Sequence, residues 1–318
     1  MLLALNKIEN IINFLEQEVD TNKISDFKVF LKPNLEINVI VVSSNDNYFL
    51  NGLQHPAIKL EVISEEEISS RRDMRGITTL TIDPVDARDF DDALSIEVKG
   101  DKIEVGVHIA DVGHYVKPDS ELDKEAFKRA TSVYLVDRCV PMLPERLSNG
   151  ICSLKPHEDR LSFSVIFTLD KDGNILDTWQ GKTVIHSDRR FTYEEAQEII
   201  EGVDGDYHNE IRLLDRLAKK IRKKRIKEGS IEMGGIEVRF KLAEDNKKPI
   251  GVYFKEQKDA NKLIEEFMLL ANKSVAKTLS DAGWSNVYRV HDTPNMDKLN
   301  ELVNICNTFQ HELTINDD

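Results

Sequence analysis

The stretch Thr81-Ile82-Asp83-Pro84-Val85-Asp86-Ala87-Arg88-Asp89-Phe90-Asp91-Asp92-Ala93-Leu94-Ser95-Ile96-Glu97 gathers five aspartates into ten residues. Its flanks, Thr79 to Ile82 and Ala93 to Val98, have the apolar and β-branched composition of strands, so the acids sit on a connection tied down at both ends. Carboxylates held a few ångströms apart repel one another, and the folded state is destabilised unless they protonate or bind a cation. Hard divalent cations take oxygen ligands, and Mg²⁺ bound by a few carboxylates plus substrate phosphate is the usual arrangement in phosphoryl chemistry. A solvated acidic turn is the competing reading. An EF-hand does not fit: counting from Asp86 puts Glu97 at the twelfth position, but Arg88 and Phe90 occupy the third and fifth, and Asp91 replaces the glycine at the sixth. A phosphatase nucleophile normally ends a buried strand, and Val85-Asp86-Ala87-Arg88 is not one.

Working outward, strands are predicted over 77–82, 93–98 and 102–109, then a helix over 121–130, then strands at 161–169 and 182–186. The second half predicts a helix capped by Thr192, a basic helix from about Glu210 to Lys227 and a strand pair at 236–242 and 250–254. A helix from about Lys258 to Ser280 and another after Pro294 complete it. Upstream, β-branched runs at 27–31, 37–43 and 58–63 predict a small β-rich module, and Leu5, Ile8, Ile12, Leu15 and Val19 an amphipathic helix before it. The segment Glu61–Gly76 carries no strand pattern and flips from acidic to basic, as a connector would. The division therefore falls between 1–70 and 71–318.

The 318 residues are 40% hydrophobic and 31% charged, which excludes a disordered or low-complexity chain. With 43 basic against 57 acidic residues the formal charge is −14, so a polyanion has to be held by local basic patches or by metal ions. The one dense basic run, 216–227, has eight basic residues in twelve and reads either as a solvated helix face or as a phosphate contact. Cys139, Cys152 and Cys306 suggest neither a disulfide framework nor a zinc site, and a reducing cytoplasm fits best. Lys7, Glu9, Glu16 and Glu18 interrupt the apolar start, which reads as neither signal peptide nor membrane span. His108 and His114 lack a third ligand at zinc spacing and read as structural, with His108 and Asp111 packing near the acidic loop.

The acidic segment, followed by Val105-Gly106-Val107-His108-Ile109-Ala110-Asp111, by Ala130 to Leu154 and by Tyr288 to Leu302, resembles the catalytic RNB domain of ribonuclease II and ribonuclease R, with ribonuclease R the nearer of the two. Four motifs in the right order carry the likeness, over about residues 71 to 318. It implies an α+β RNB-type fold, a mixed and largely antiparallel sheet flanked by helices, preceded here by a β-rich module with room for one partial cold-shock or OB-like barrel. It implies Mg²⁺-dependent 3′-to-5′ hydrolysis of single-stranded RNA to nucleoside 5′-monophosphates, with two Mg²⁺ ions, Mn²⁺ as a substitute, and no haem or nucleotide cofactor. Asp83, Asp89, Asp91 and Asp92 fall on the family's catalytic, metal-holding aspartates, and Asp86 lies outside that set. Tyr134 matches an aromatic that stacks on a base, Tyr193 a tyrosine beside the scissile nucleotide, and Glu265 a glutamate on the terminal ribose. Met233 stands where the family usually has a phenylalanine that clamps bases with Tyr134. The likeness also predicts an RNB domain incomplete at its C-terminus, lacking an arginine motif and an S1 domain. A weakly active or non-catalytic RNA- or protein-binding remnant is the alternative.

Overall fold

The apolar runs fold largely where their periodicity puts them. The computed structural model describes the strands at 26–31, 37–42 and 47–50 and, from residue 63 onward, all residues except 137, 231–235, 244–247, 289, 291, 292, 294 and 314–318. The predicted N-terminal helix, residues 58–62 and Met233 lie outside the described residues. Strands β1 (Asp26–Leu31), β2 (Ile37–Val42) and β3 (Asn47–Leu50) form an antiparallel sheet in that order. The first two are predicted runs. The third is not, because Asn47 reads as part of the turn and instead starts the strand, opposite Val42.

Next come α1 (Glu65–Ser69) and the strands β4 (Arg72–Asp73), β5 (Thr79–Asp83), β6 (Asp92–Lys99) and β7 (Lys102–Ala110). The short α2 (Val112–Tyr115), α3 (Glu121–Arg129) and a two-stranded ribbon of β8 (Val133–Tyr134) and β9 (Cys139–Val140) follow. Then come β10 (Asp159–Leu169), β11 (Ile175–His186) and β12 (Arg189–Thr192), and a seven-stranded sheet takes the order β12-β5-β6-β7-β10-β11-β4. Its inner pairings are antiparallel, while the edge pairings β12 with β5 and β11 with β4 are parallel. The chain continues through α4 (Tyr193–Ile200), α5 (His208–Lys227), the ribbon β13 (Ile236–Leu242) and β14 (Pro249–Glu256), α6 (Asp259–Asp281) and α7 (Met296–Thr308). Two compact units result, residues 1–275 and 276–318.

Alternation along the strands builds two cores. In β7, Ile103, Val105 and Val107 point to one face and pack with Leu94, Ile96, Val165 and Phe167. Helices cover that face with residues three, four and seven apart: Ile211, Leu214 and Leu217 from α5, and Ala260, Leu263, Ile264 and Phe267 from α6. The opposite face packs Ala93, Ala110, Ile166 and Ile185 against Met74, Phe90, Tyr115, Leu147 and Leu154.

A buried polar row crosses that second face. Ser95 Oγ meets His108 Nε2 at 2.8 Å, His108 Nδ1 meets Ser164 Oγ at 2.6 Å, and Ser164 and Ser162 both meet the Thr183 hydroxyl, at 2.5 and 2.6 Å. All five residues are buried, so each polar atom depends on its neighbour for its hydrogen bond. Gly106 faces Ser95, and a side chain there would collide with the serine hydroxyl and the His108 ring.

From residue 63 on, the predicted connector is structured. Ser64 caps α1 by accepting from the Glu67 N–H at 3.2 Å, β4 pairs with β11, and Met74 enters the core. Arg71 is buried and donates to Glu67 and to Asp111, each at 2.7 Å, and to the carbonyls of Ser162 and Thr183. A two-residue strand and an arginine buried by pairing leave no apolar period to read, which is why the pattern looks like a linker.

Candidate catalytic carboxylate site

The acidic loop joins antiparallel neighbours. It leaves β5 at Asp83 and enters β6 at Asp92, which brings the two end carboxylates to one end of the sheet. On the other side of β5, β12 runs parallel with Thr192 opposite Asp83, so Tyr193 opens α4 beside that aspartate. Thr192 and Glu195 form a reciprocal capping box that fixes where the helix starts, an arrangement worth about 1 kcal/mol.

Backbone bonds pin the loop between its ends. The Ala87 N–H donates to the Pro84 carbonyl at 3.1 Å, the Leu154 N–H to the Phe90 carbonyl at 2.8 Å, and the Ala110 N–H to the Asp91 carbonyl at 3.0 Å. The buried Ser153 hydroxyl accepts from the Phe90 N–H at 3.0 Å and donates to the Arg88 carbonyl at 2.9 Å. Phe90 sinks its ring into the second core. A freely solvated turn has no such anchors.

The carboxylates are electrostatically uncomfortable. Asp83 is buried, and one of its oxygens, Oδ2, has no hydrogen-bond partner. Burial first and the charge of Asp92 second push its pKa up to about 7, with Arg190 nearby acting in the opposite direction. Burial, then Asp91, pushes Asp92 up to about 6. Asp91 is exposed at the surface, and partial desolvation, then the charge of Asp89, raises it as well. Asp86 is exposed, as the sequence suggests.

Tyrosines flank the acids. Tyr193 is half-buried, and its hydroxyl is pushed up to about 12 by burial and by Asp92 and Asp83. Tyr134 is 73% exposed on the β8–β9 ribbon and is raised by partial burial and then by Asp89. An exposed ring beside a carboxylate group is free to receive a flat partner. Glu265 is exposed on α6, within the field of Arg225, and among the described residues no hydrogen bond or ion pair ties it to the aspartates. Its neighbour Glu266 is buried and takes a bidentate grip from Arg225, at 2.5 and 3.1 Å. Met233 lies outside the described residues.

Much of the basic run is committed internally. Lys220 and Lys224 donate into the β10–β11 turn at Lys171, Asp172 and Asn174, and Lys219 pairs with Asp215 and Asp259. Its cations dock α5 onto the fold. Of the histidines, His108 belongs to the buried row, while Asp111 receives Arg71 and caps α2.

Spacing did not reveal Ser153 or Arg190. Arg190 donates through Nη2 to the Pro84 carbonyl, lies over the Phe90 ring at 5.6 Å, and leaves its buried Nε without a partner. These contacts span 63 to 106 residues, so only the folded sheet brings them to the loop.

The donor set suits a hard cation: grouped carboxylate oxygens, one buried and orphaned, with pKa values raised first by burial and then by mutual repulsion, both of which a cation relieves. Among the described residues, no three acidic, histidine or cysteine side chains converge into a ready-made metal cage. Mg²⁺ usually keeps several waters and takes its other oxygens from substrate phosphate.

Comparison with known proteins gives the same direction. The DIS3-like exonuclease 2 of Schizosaccharomyces pombe is 44% identical over 269 residues, which cover 79% of this chain and 29% of that protein. Ribonuclease R of Thermotoga maritima is 41% identical over 249 residues, covering 76% and 35% respectively. The structure of Mycoplasma genitalium RNase R with ribose-methylated single-stranded RNA superposes with a TM-score of 0.76 at 30% identity, covering 82% of this chain and 42% of that one. The chain thus spans about a third of the length of these curated relatives. The pattern of the RNB domain matches residues 71–317, the same stretch that builds the seven-stranded sheet and its acidic loop, and the chain belongs to the RNB domain family.

Proposed function

We propose that this chain carries the catalytic part of a divalent-metal-dependent 3′-to-5′ exoribonuclease that hydrolyses single-stranded RNA to nucleoside 5′-monophosphates. The observation that carries this is the anchored loop with its buried, orphaned Asp83 carboxylate, grouped with Asp92, Asp91 and Asp89. Asp83, Asp89, Asp91 and Asp92 are the metal-holding residues, with two Mg²⁺ ions, or Mn²⁺, as their partners. Such cations polarise the scissile phosphate, activate water and stabilise the leaving oxygen.

The chain's own residues bind and orient. Tyr134 offers an exposed face to a base, a contact that tolerates any sequence and suits a general exonuclease. Tyr193, held at the first turn of α4, keeps its proton and is assigned, on the strength of the family motif, to the place beside the scissile nucleotide. Glu265 is assigned to the terminal ribose on the strength of the family motif, and Met233 to a looser base clamp with Tyr134, in place of the family's usual phenylalanine. The division at about residue 70 belongs to the same reading, supported by the start of the family match at residue 71. A cytoplasmic setting fits the free Cys139, Cys152 and Cys306; among the described residues no helix is long and apolar enough to cross a membrane.

The test is release of mononucleotides from a single-stranded RNA oligomer with a 3′-hydroxyl end, with and without Mg²⁺. Metal-dependent, stepwise shortening from the 3′ end supports the reading. RNA binding without shortening assigns the chain to a non-catalytic binding role.

A further inference from the structure

We infer that Arg190 is a positioning residue: its guanidinium clamps the Pro84–Phe90 loop from the β12 side and sets the geometry in which Asp83 meets the other carboxylates. The inference rests on the reading of those aspartates as cation ligands. Nη2 donates to the carbonyl of Pro84, the residue directly after Asp83. The guanidinium carbon lies 5.6 Å from the centre of the Phe90 ring, at the far end of the same loop. One side chain thus holds both ends of the turn that carries Asp86 and Asp89.

The sheet delivers it there. In the parallel pairing of β12 with β5, Arg190 stands opposite Thr81, two residues before the Thr192–Asp83 pair. Its neighbour Arg189 has other work: it pairs with Asp206 and Glu195 and lies over Phe191 at 4.3 Å. The two arginines are not interchangeable. Arg190 Nε is buried and unpartnered, a cost the fold accepts where the planar fork is needed to reach a carbonyl and a ring face together.

Clamp and charge predict opposite outcomes. A positive charge near a cation site opposes cation binding, so if Arg190 acted through charge alone, removing it would tighten binding. Loss of a clamp loosens it. Lysine keeps the charge but has no planar fork to reach the Pro84 carbonyl and the Phe90 ring at once. Glutamine keeps a donor and drops the charge.

The experiment measures Mn²⁺ binding to the full chain by calorimetry and by the Mn²⁺-dependent rise in melting temperature, for the parent, R190K, R190Q and F90L. The expected result is a half-saturating Mn²⁺ concentration raised about tenfold or more in both arginine variants, the size usual for loss of a group that orients metal ligands, with circular dichroism in chelator unchanged. F90L, which removes the ring but leaves the arginine, shifts in the same direction. R190K that binds Mn²⁺ like the parent, or R190Q that binds it more tightly, overturns the clamp. If R190K does not fold, F90L decides, and an unchanged Mn²⁺ midpoint there overturns it. A parent chain that binds no Mn²⁺ overturns the reading of the aspartates and this assignment with it, whereas a binding parent beside an unmoved R190K sinks this assignment alone.

Discussion

The buried imidazole of His108 makes the fold acid-sensitive in a calculable way. Burial first, and Arg72 second, push its pKa down from 6.5 to about 3, while both ring nitrogens are hydrogen-bonded to serine hydroxyls, at 2.8 and 2.6 Å. The unfolded chain takes up a proton near the ordinary value and the folded one does not. Stability from this group is therefore complete above pH 6.5 and falls as the pH drops through the window towards 3. Each pH unit inside the window costs about 1.4 kcal/mol, so going from 6.5 to 5 removes about 2 kcal/mol. For a unit of this size that is about 4 to 8 °C in melting temperature. Asp83 and Asp92 act with the opposite sign, because their raised values let the fold gain protons and stability as the pH falls through about 7 and about 6. A single pH curve therefore mixes the two. The difference between the parent and His108→Gln isolates the histidine. The variant is less stable near neutral pH by about 1 to 3 kcal/mol, through imperfect replacement of buried hydrogen bonds. That gap should close by about 2 kcal/mol between about pH 7 and about pH 5, measured by urea unfolding in chelator. Parallel curves for the two proteins would show that His108 is not held neutral, and the argument from burial would fail.

Asp91→Asn should lower RNA hydrolysis by far more than tenfold while far-ultraviolet circular dichroism and RNA binding persist; a variant keeping about a tenth of the parent rate, a loss of only about 1.4 kcal/mol, removes this aspartate from the site. Millimolar Mg²⁺ or Mn²⁺ should raise the melting temperature of the parent and of Asp86→Asn but not of Asp83→Asn, since only the folded state holds the grouped acids together; calorimetry would show whether the shift survives the last substitution. Lys220→Gln with Lys224→Gln should lower the urea midpoint by loosening α5 from the β10–β11 turn, and should leave the salt dependence of RNA affinity unchanged. A slope flatter by about 0.7 per lysine would return both to the RNA path. Gly106→Ala should destabilise by about 1 to 3 kcal/mol, because its methyl group has to displace Ser95 or the His108 ring; a neutral result by thermal melting would contradict the tight approach.

The sequence is legible where apolar period and local chemistry agree. The strands β5, β6, β7 and β10, the capped start of α4 at Thr192 and the helices α5 and α6 all follow from local pattern. Asp83, Asp91 and Asp92 are legible as a group because they are close in sequence, and the fold only has to bend once to bring them together. The elements that escape notice are short or polar: β4 and β12 at the sheet edges, α1, and the two-residue strands that present Tyr134. Their stability comes from charge pairing and from partners far along the chain, as Arg71 shows, and a window of ten residues contains neither. The basic run of α5 is the reverse case. Its composition points outward to a polyanion, yet several of its charges are balanced by acids that only the fold brings near.

That reversal bears on how a chain of charge −14 would hold RNA under the proposed function. Lys219, Lys220, Lys224 and Arg225, four of the eight basic residues of the run, are already paired, which reduces the charge this helix has to spare for phosphate. What the carboxylate site offers instead is a deficit of positive charge. Asp83 and Asp92 are held where ionising them is costly, and Arg190 nearby partly offsets the cost for Asp83. A divalent ion relieves that repulsion and at the same time presents positive charge to a phosphate. On the same proposal, Tyr134 and Tyr193 would contribute contacts that do not depend on charge, one through an exposed ring and one through a hydroxyl that keeps its proton. Under the proposed function the acidic loop, which taken alone would repel RNA, would meet the scissile phosphate through the cation, while the tyrosine contacts would hold RNA without it, so losing one carboxylate separates hydrolysis from binding.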